Sequence, residues 1–582
     1  MKKKFLYFFQ IFFTILILIP NQSLADSNTI TSDSSTQQDI DGDGEFLTVK
    51  DNSTLATGAT TKAANVTGDS VDVTVESGST ISANTVAVFG DDTSDLTVTN
   101  SGTITASGTT AIDVKGTTDA TITNSSGGTI SSNRNTIRIS KTGSNNTTGM
   151  TITNSGTITA SNGSAIFASD SNSTATITNK IGGEITNSDT SNATIRAGAS
   201  STIVNSGKIT NDVGNDAIKL YGNNATITLK DGGIVVGKID GLLRTGSTLK
   251  FNHGVGQGYF YETEGDFTLE DLDGNQVVKG SAGSVGQGGN ENIDELLGYK
   301  SLNIRKSLNK FLKSEGFKNK KTEWQGIQAT SLERKEHAKN LALGYEFYSL
   351  GVNIIRPSEN ENVIASFEYS EQDFKKDHTI ARYNLLFGLH YKESENKFKD
   401  NSFILAGATL NEGKRKILTN TTSSGTLNIT DTYESFEIHT GKKFINKSLI
   451  PNIGTNLSYS YTPEHSESKY YSWEDKHVAN FSLDLSDEFS IEREKSKSKF
   501  GIGWILDYRT LITDSKTEYS VKGTKATYKQ DDDLTKEMTL SVNINYEKKF
   551  YKFGKILISI DGKTTTQEVN SVGANIYFVK VL

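Results

Sequence analysis

Three patterns of apolar and polar positions follow one another along the chain. The first is an almost unbroken apolar run, Phe5 to Ile19, directly behind Lys2, Lys3 and Lys4. The second, over about residues 46–250, sets one small apolar residue between hydroxyl side chains, as in Thr121-Ile122-Thr123, and closes each stretch with Asn, Ser and Gly. The third, from Trp324 to Leu582, alternates strictly over long stretches: Met538, Leu540, Val542, Ile544 and Tyr546 oppose Thr539, Ser541, Asn543, Asn545 and Glu547. Period two predicts strands in the last two regions. Between them, Ile293, Leu296, Leu297, Ile304, Leu308, Phe311 and Leu312 recur at helical spacing, which predicts one amphipathic helix over about 292–313. Asn292 and Glu295 give it a capping-box start, and Gly298 is its one interior cost.

The first pattern has the form of a secretory signal peptide. Ser23-Leu24-Ala25 supplies the small residues a signal peptidase accepts, so cleavage is expected after Ala25. As an anchor helix the run is short of the ~20 residues that span a bilayer.

The second pattern is a repeat. Asn100, Asn124, Asn154, Asn179 and Asn205 each follow a Thr-[Ile/Val]-[Thr/Val] stretch, at spacings of 24, 30, 25 and 26 residues, and Ile112, Ile137, Ile166, Ile195 and Ile218 follow in turn. A period of this length means stacked supersecondary units. With Thr, Ser, Asn and Gly dominant the units are strands and turns, which predicts a parallel β-helix, right-handed or similar, with Ile, Val and Ala inside. A disordered tract would not need isoleucine at fixed offsets.

In the third pattern the alternating faces favour a membrane barrel over a soluble sandwich. Apolar faces such as Tyr383, Leu385, Phe387, Leu389 and Tyr391 end in aromatic residues, and charge collects in the connections. About twelve strands fit into residues 324–582, enough for the ~9–11 residues each tilted crossing needs, and lipid requires that the sheet close on itself. The fold class expected is therefore all-β: an N-terminal parallel β-helix, a linker helix and a C-terminal twelve-stranded antiparallel transmembrane barrel. The divisions are 1–25 signal peptide, 26–45 N-terminal segment, 46–280 β-helix, 281–322 Gly/Ser linker and helix, and 323–582 barrel.

Composition narrows the chemistry. The 582 residues include no cysteine, which excludes disulfides, cysteine-ligated metals and cysteine nucleophiles. A net charge of -8 gives no sign of a nucleic-acid partner. Residues 26–290 carry 15 basic and 28 acidic side chains and 291–582 carry 42 and 40, so charge density rises sharply near residue 290. His253 is the only histidine between residues 26 and 290, which leaves the repeats without the base of a Ser-His-Asp triad. Carboxylate clusters at Asp91, Asp92 and Asp95, and at Asp212 and Asp216, fit solvated loops better than a glycosidase pair. Asp39-Ile40-Asp41-Gly42-Asp43-Gly44 begins like an EF-hand loop, but the twelfth place, which wants glutamate, is Lys50. No catalytic residue, metal ligand or cofactor is expected, and the chain is not expected to be an enzyme.

The last strand carries a further motif. Ser571, Gly573, Ile576 and Phe578 match the polar-x-Gly-x-x-apolar-x-apolar signal by which outer-membrane barrels are inserted. With Leu449-Ile450-Pro451 ahead of a central strand, the whole chain resembles a classical (type V secretion) autotransporter. That resemblance implies an outer-membrane barrel of a Gram-negative bacterium, monomeric, with the helix in its pore and the β-helix outside as passenger. It also implies outer-membrane lipid, the barrel-assembly machinery and periplasmic chaperones as partners. By analogy the passenger would serve adhesion, with a surface glycan or matrix ligand; a β-helical polysaccharide-acting enzyme and a porin-like channel are the alternatives. Two residues depart from the family: the chain ends in Leu582 where Phe or Trp is usual, and Lys580 intrudes on the last apolar face. No Asn-Asn pair occurs in 292–313, so the self-cleavage of some members is not carried over.

Overall fold

The structure is a computed structural model that describes residues 27–58, 61–241, 244–278, 282–284, 293–313, 322–336, 343–358, 361–374, 376–391, 401–444, 451–467, 469–529, 535–550 and 554–581. The signal run, Ala25, Asn292, Leu449, Ile450 and Leu582 lie outside these residues. Two compact units form. One comprises Met1–His253, Tyr261–Leu272 and Leu418–Thr426, the other Gly254–Phe260, Asp273–Ile417 and Leu427–Leu582.

The first unit is a parallel solenoid of three sheets, with eleven, eight and ten strands. Each anchor repeat contributes to all three, and stacking in register places like on like. Val98, Ile122, Ile152, Ile177, Ile203 and Ile227 form one inward column. Ile81, Ile104, Ile130, Ile158, Ile185 and Ile209 form the second. Val88, Ile112, Ile137, Ile166, Ile195 and Ile218 form the third, and all of these are buried. Small aliphatic residues suffice because each coil buries its inward side chains between like neighbours in the coils on either side.

The anchoring asparagines also turn inward. Asn100 Nδ2 donates to Asn124 Oδ1 at 2.8 Å, Asn124 to Asn154 at 2.8 Å, Asn154 to Asn179 at 2.9 Å and Asn179 to Asn205 at 2.9 Å, with all five side chains buried. Each amide also donates to backbone carbonyls at the turn, as Asn154 does to Gly156 and Glu184, so the buried polar column is satisfied from Asn124 onward, and only Asn100 Oδ1 at its first position has no partner among the described residues. The glycine after each anchor is a close-approach position: a Cβ at Gly156 would meet the carbonyls of Gly128 and Ser125.

The solenoid reaches beyond the 46–250 of its sequence signature. Ser27–Ile30 pairs with Phe46–Val49, Gln38–Ile40 pairs with Ala64–Val66, and Thr268–Asp271 pairs with Thr248–Asn252. The segment 26–45, set apart on sequence, thus supplies coil strands. Its repeat was hidden because the first coil lacks the Asn-Ser-Gly turn.

In the second unit the helix α1 (Ile293–Lys313) precedes twelve long strands. They are β1 (Thr322–Arg334), β2 (Tyr345–Pro357), β3 (Glu361–Phe374), β4 (His378–Tyr391), β5 (Ser402–Thr419) and β6 (Thr426–Phe444). They continue with β7 (Asn452–Thr462), β8 (Lys476–Arg493), β9 (Ser498–Leu511), β10 (Lys536–Phe550), β11 (Gly554–Thr565) and β12 (Val569–Val581). Neighbours pair antiparallel, and β1 pairs with β12 over Thr322–Arg334, which closes the barrel.

The period-two alternation sets which side chain faces where. On β10, Met538, Leu540, Val542, Ile544 and Tyr546 point outward with 43–49% exposure, while Glu537, Thr539, Ser541, Asn543 and Asn545 are buried inside. The same outward apolar exposure recurs on Leu385, Phe387, Leu483, Ile502 and Ile558 around the wall. A barrel apolar outside and polar inside suits a bilayer, where closure leaves no unpaired edge. Among the described residues no helix is long and apolar enough to cross a membrane.

Candidate functional site

The site is the barrel lumen with α1 inside it. Where the sequence shows only a polar strand face, the structure places wall partners for the described charges of the helix, Glu295, Lys300, Arg305, Lys306 and Lys310. At its N-terminal end Glu295 accepts from Arg334 at 2.7 Å and from the Tyr345 hydroxyl at 2.9 Å, at the end of β1 and the start of β2. Tyr299 Oη donates to Glu537 at 2.8 Å, and Arg509 pairs with the other oxygen of Glu537 at 2.8 Å.

One turn on, Lys300 pairs with Glu437 at 2.7 Å, and Glu437 also accepts from Thr409 at 2.7 Å. Ser301 bonds Asn456 on β7. The Arg305 guanidinium divides between Asp484 on β8 and Asp507 on β9, the latter at 2.8 Å. Lys306 meets Asp561 on β11 at 3.0 Å, and Lys310 donates to Ser559. Both lysines lie in the last two turns of the helix, where cations also suit its dipole. A fork-shaped cation spanning two carboxylates fixes rotation as well as depth, as a single lysine contact would not.

Apolar clusters lie at both ends. Leu296 packs with Leu332, Leu343, Tyr345 and Phe374, and Leu297 with Val478. Leu308 and Phe311, with Ile304 against them, pack with Trp324, Ile355, Leu386, Phe403 and Tyr577. The side chains of Ile293 and Leu312 lie outside the described residues. The lumen is thus not wet throughout: Leu386 and Trp324 face inward and seal it around the C-terminal half of the helix. Gly298, a cost on propensity alone, leaves room for the Arg509 side chain, which a Cβ would strike. A small cavity remains beside α1, lined by Lys300, Asn303, Glu368, Arg382 and Glu437.

Of the insertion-signal residues, Ser571 and Gly573 face the lumen, while Ile576 and Phe578 face outward with 41% and 44% exposure. Lys580 shares their face.

The two long connections, after β7 and after β9, build a second sheet of four short strands, His465–Ser466, Tyr471–Trp473, Lys516–Val521 and Thr524–Lys529. Tyr471, Trp473, Tyr519 and Val521 pack there with Ile417, Ile429 and Phe260. The Tyr471 hydroxyl donates to the carbonyls of Tyr259 at 3.0 Å and Ser284 at 3.2 Å, so this sheet grips chain that precedes the helix. Sequence reading missed it because its strands are only two to six residues long.

In the solenoid, the acidic turn Asp39–Gly44 directs its carboxylates to neighbours. Asp39 accepts from Gln37 and Asn65, and Asp43 from the Asp69 amide. Among the described residues no group of three or more His, Asp or Glu is placed to hold a metal ion. Asp91 and Asp92 accept from Thr142 and Asn145, and Asp216 pairs with Lys219.

No family model matches the sequence, and no curated protein matches it. Solved structures do. The translocator domain of autotransporter NalP from Neisseria meningitidis is 9% identical, with a TM-score of 0.33, covering 50% of this chain and 99% of that one. The transport unit of the autotransporter AIDA-I from Escherichia coli is 8% identical, TM-score 0.28, covering 51% and 100%. The Pseudomonas putida toluene transporter TodX is 7% identical, TM-score 0.23, covering 45% and 89%. These likenesses are distant and concern the fold alone. Along one chain the order is a parallel solenoid, a helix within the lumen and a closed twelve-stranded barrel with an apolar outer face.

Proposed function

We propose that the barrel brings the solenoid to the cell surface and holds it there, and that the solenoid is an adhesive module whose partner is a surface glycan or matrix polymer. The direction of the helix supports this most. Glu295 sits by the end of β1, beside the long connections, and Phe311 sits by Trp324 at the start of β1. Long connections mark the outer side of such barrels and short turns the periplasmic side. The chain preceding α1 therefore leaves the lumen outward, and the solenoid precedes α1.

Two faces of the solenoid present rows of threonine and serine, a regular polar surface suited to extended contact with a polymer. Protease added to intact cells should remove the residues up to about 290 and leave the barrel in the membrane. Cells carrying the chain should attach to glycan or matrix coatings better than cells carrying the barrel alone; equal attachment would overturn the adhesive reading.

A further inference from the structure

The third sheet of the solenoid differs from the other two. Its outward row runs in register Asp39, Asn65, Phe89, Asp113, Arg138, Phe167, Arg196, Lys219, Asp240 and Glu264, where the other sheets show mostly Thr and Ser. The cations on this row are paired with carboxylates, with one exception. Arg138 meets Asp113 at 3.1 Å, and Lys219 meets Asp216 and Asp240 at 2.8 and 2.7 Å. Arg196 instead lies between two rings, its guanidinium 4.8 Å from the Phe167 centroid and 3.6 Å from that of Tyr221. Arg244 approaches the same Tyr221 ring at 5.3 Å. Among the described residues neither arginine has a carboxylate partner, and Nε of each is buried without a hydrogen bond.

A guanidinium stacked on an aromatic ring is held by its face, which leaves its N–H edge for a ligand. The ring faces between them are occupied by the cations, so they do not stack a sugar; they fix the two forks. Arg196 and Arg244 stand on coils separated by one coil, and because both lie against the one Tyr221 ring their guanidinium carbons are at most about 9 Å apart. That interval is close to two sugar rings of an extended polysaccharide. Paired guanidinium forks fit carboxylates bidentately. The rest of residues 26–290 carries an acidic excess that repels polyanions elsewhere, so the pair stands out as a local attractive site.

From this register we infer that the Phe167–Arg196–Tyr221–Arg244 ladder binds an acidic glycan carrying a carboxylate on every second sugar. The inference rests on the adhesive reading and names its ligand class. The test uses cells displaying the full chain, with fluorescent hyaluronan as the unsulfated alternating uronate probe, and dextran and heparin as neutral and sulfated comparisons. Hyaluronan should be retained and dextran not. Arg196→Gln with Arg244→Gln should weaken retention about tenfold or more at equal surface amount, and Arg138→Gln, whose parent is already paired, should leave it unchanged. Retention unaffected by the double change, or a preference for heparin with no hyaluronan bound, overturns the assignment. Failure to bind hyaluronan by cells that still attach to matrix coatings would sink this site and spare the adhesive reading.

Discussion

The rings of Trp324 and Tyr577 stack with centroids 4.6 Å apart and planes 3° from parallel, and they do so across the seam where the first barrel strand meets the last. Gly326 makes this stack feasible: it stands opposite Tyr577 in register, and a Cβ there would strike the phenol ring. Phe311 of the helix lies 5.2 Å from Trp324, and Ser307 lies 3.3 Å from the Tyr577 hydroxyl, so the seam and the plug share one cluster.

Gly326→Leu should therefore weaken closure. The new side chain takes the space of the ring, and the stack, worth ~0.5–1.5 kcal/mol beyond its buried area, is lost. The temperature at which folded barrel converts to unfolded chain on a detergent gel should fall. Ile327→Val, one residue on and facing outward, should leave it nearly unchanged. Equal transitions in both variants would remove the seam from the account.

Arg305 is the hinge of the lumen network, since one guanidinium serves Asp484 and Asp507 on adjacent strands. Arg305→Met leaves two buried carboxylates facing each other, at a cost of about 3–5 kcal/mol. The helix should loosen, and the purified full chain in a planar bilayer should change from a low, quiet conductance to frequent openings. Adding Asp484→Asn and Asp507→Asn should restore most of the quiet state. Deleting 293–313 should give a steadily open pore, and a conductance unchanged by that deletion would show that the helix is no plug.

How far the sequence showed this depends on the kind of information each feature carries. The repeat was legible because Asn100 to Asn205 recur with the same neighbours, and one satisfied ladder needs one residue type at one place. Strand parity was legible on β10 because every second residue is apolar. The lumen contacts were not: alternation marks Asp484, Asp507 and Asp561 as inward, but nothing along a single strand says which helix cation each meets. Trp324 shows the same limit. Its parity with Gly326 and Gln328 places it inside, whereas aromatic content alone suggests the lipid surface. Gly298 is a cost on helix propensity alone and has its reason in the Arg509 side chain beside it, which no local pattern reveals; the outer sheet, held by Tyr471 and Tyr519, lies in segments too short for any periodicity to register.

The asparagine column makes a graded prediction. Asn154 donates to Asn179 and accepts from Asn124, so Asn154→Leu leaves a buried donor on one side and a buried acceptor on the other, ~1–3 kcal/mol each. Asn205 ends the column, where Leu229 already stands in register beside it, so Asn205→Leu removes a single side-chain pair. Resistance of the solenoid to thermolysin on intact cells should fall more steeply for position 154 than for 205. The reverse order would mean that the ladder does not set local stability.

Glu467, in the connection after β7, gives the outer sheet a pH dependence. Burial pushes its carboxyl up to about 7, even though Arg415 lies 2.9 Å away and opposes the shift; Asp431 nearby adds to it. In the unfolded chain the group titrates near 4.5, so between about 4.5 and 7 the folded form holds a proton that the unfolded form has lost. Stability contributed by this group is thus fully present below about 4.5 and is lost as pH rises through 7, by an amount on the order of 3 kcal/mol. His465, 4.0 Å from Asp431, is held below the usual imidazole range mainly by burial. A buried neutral histidine works in the opposite sense, since it favours the unfolded form as pH falls through its ordinary value near 6.5. Glu467→Gln isolates the first effect. Proteolysis of the connection 463–475 should be faster at pH 8 than at pH 5.5 in the parent, whereas in Glu467→Gln, where only the histidine's opposite effect remains, it should be no faster at pH 8 than at pH 5.5. A parent cleaved equally at both pH values would show that the carboxyl stays ionised throughout, held by Arg415.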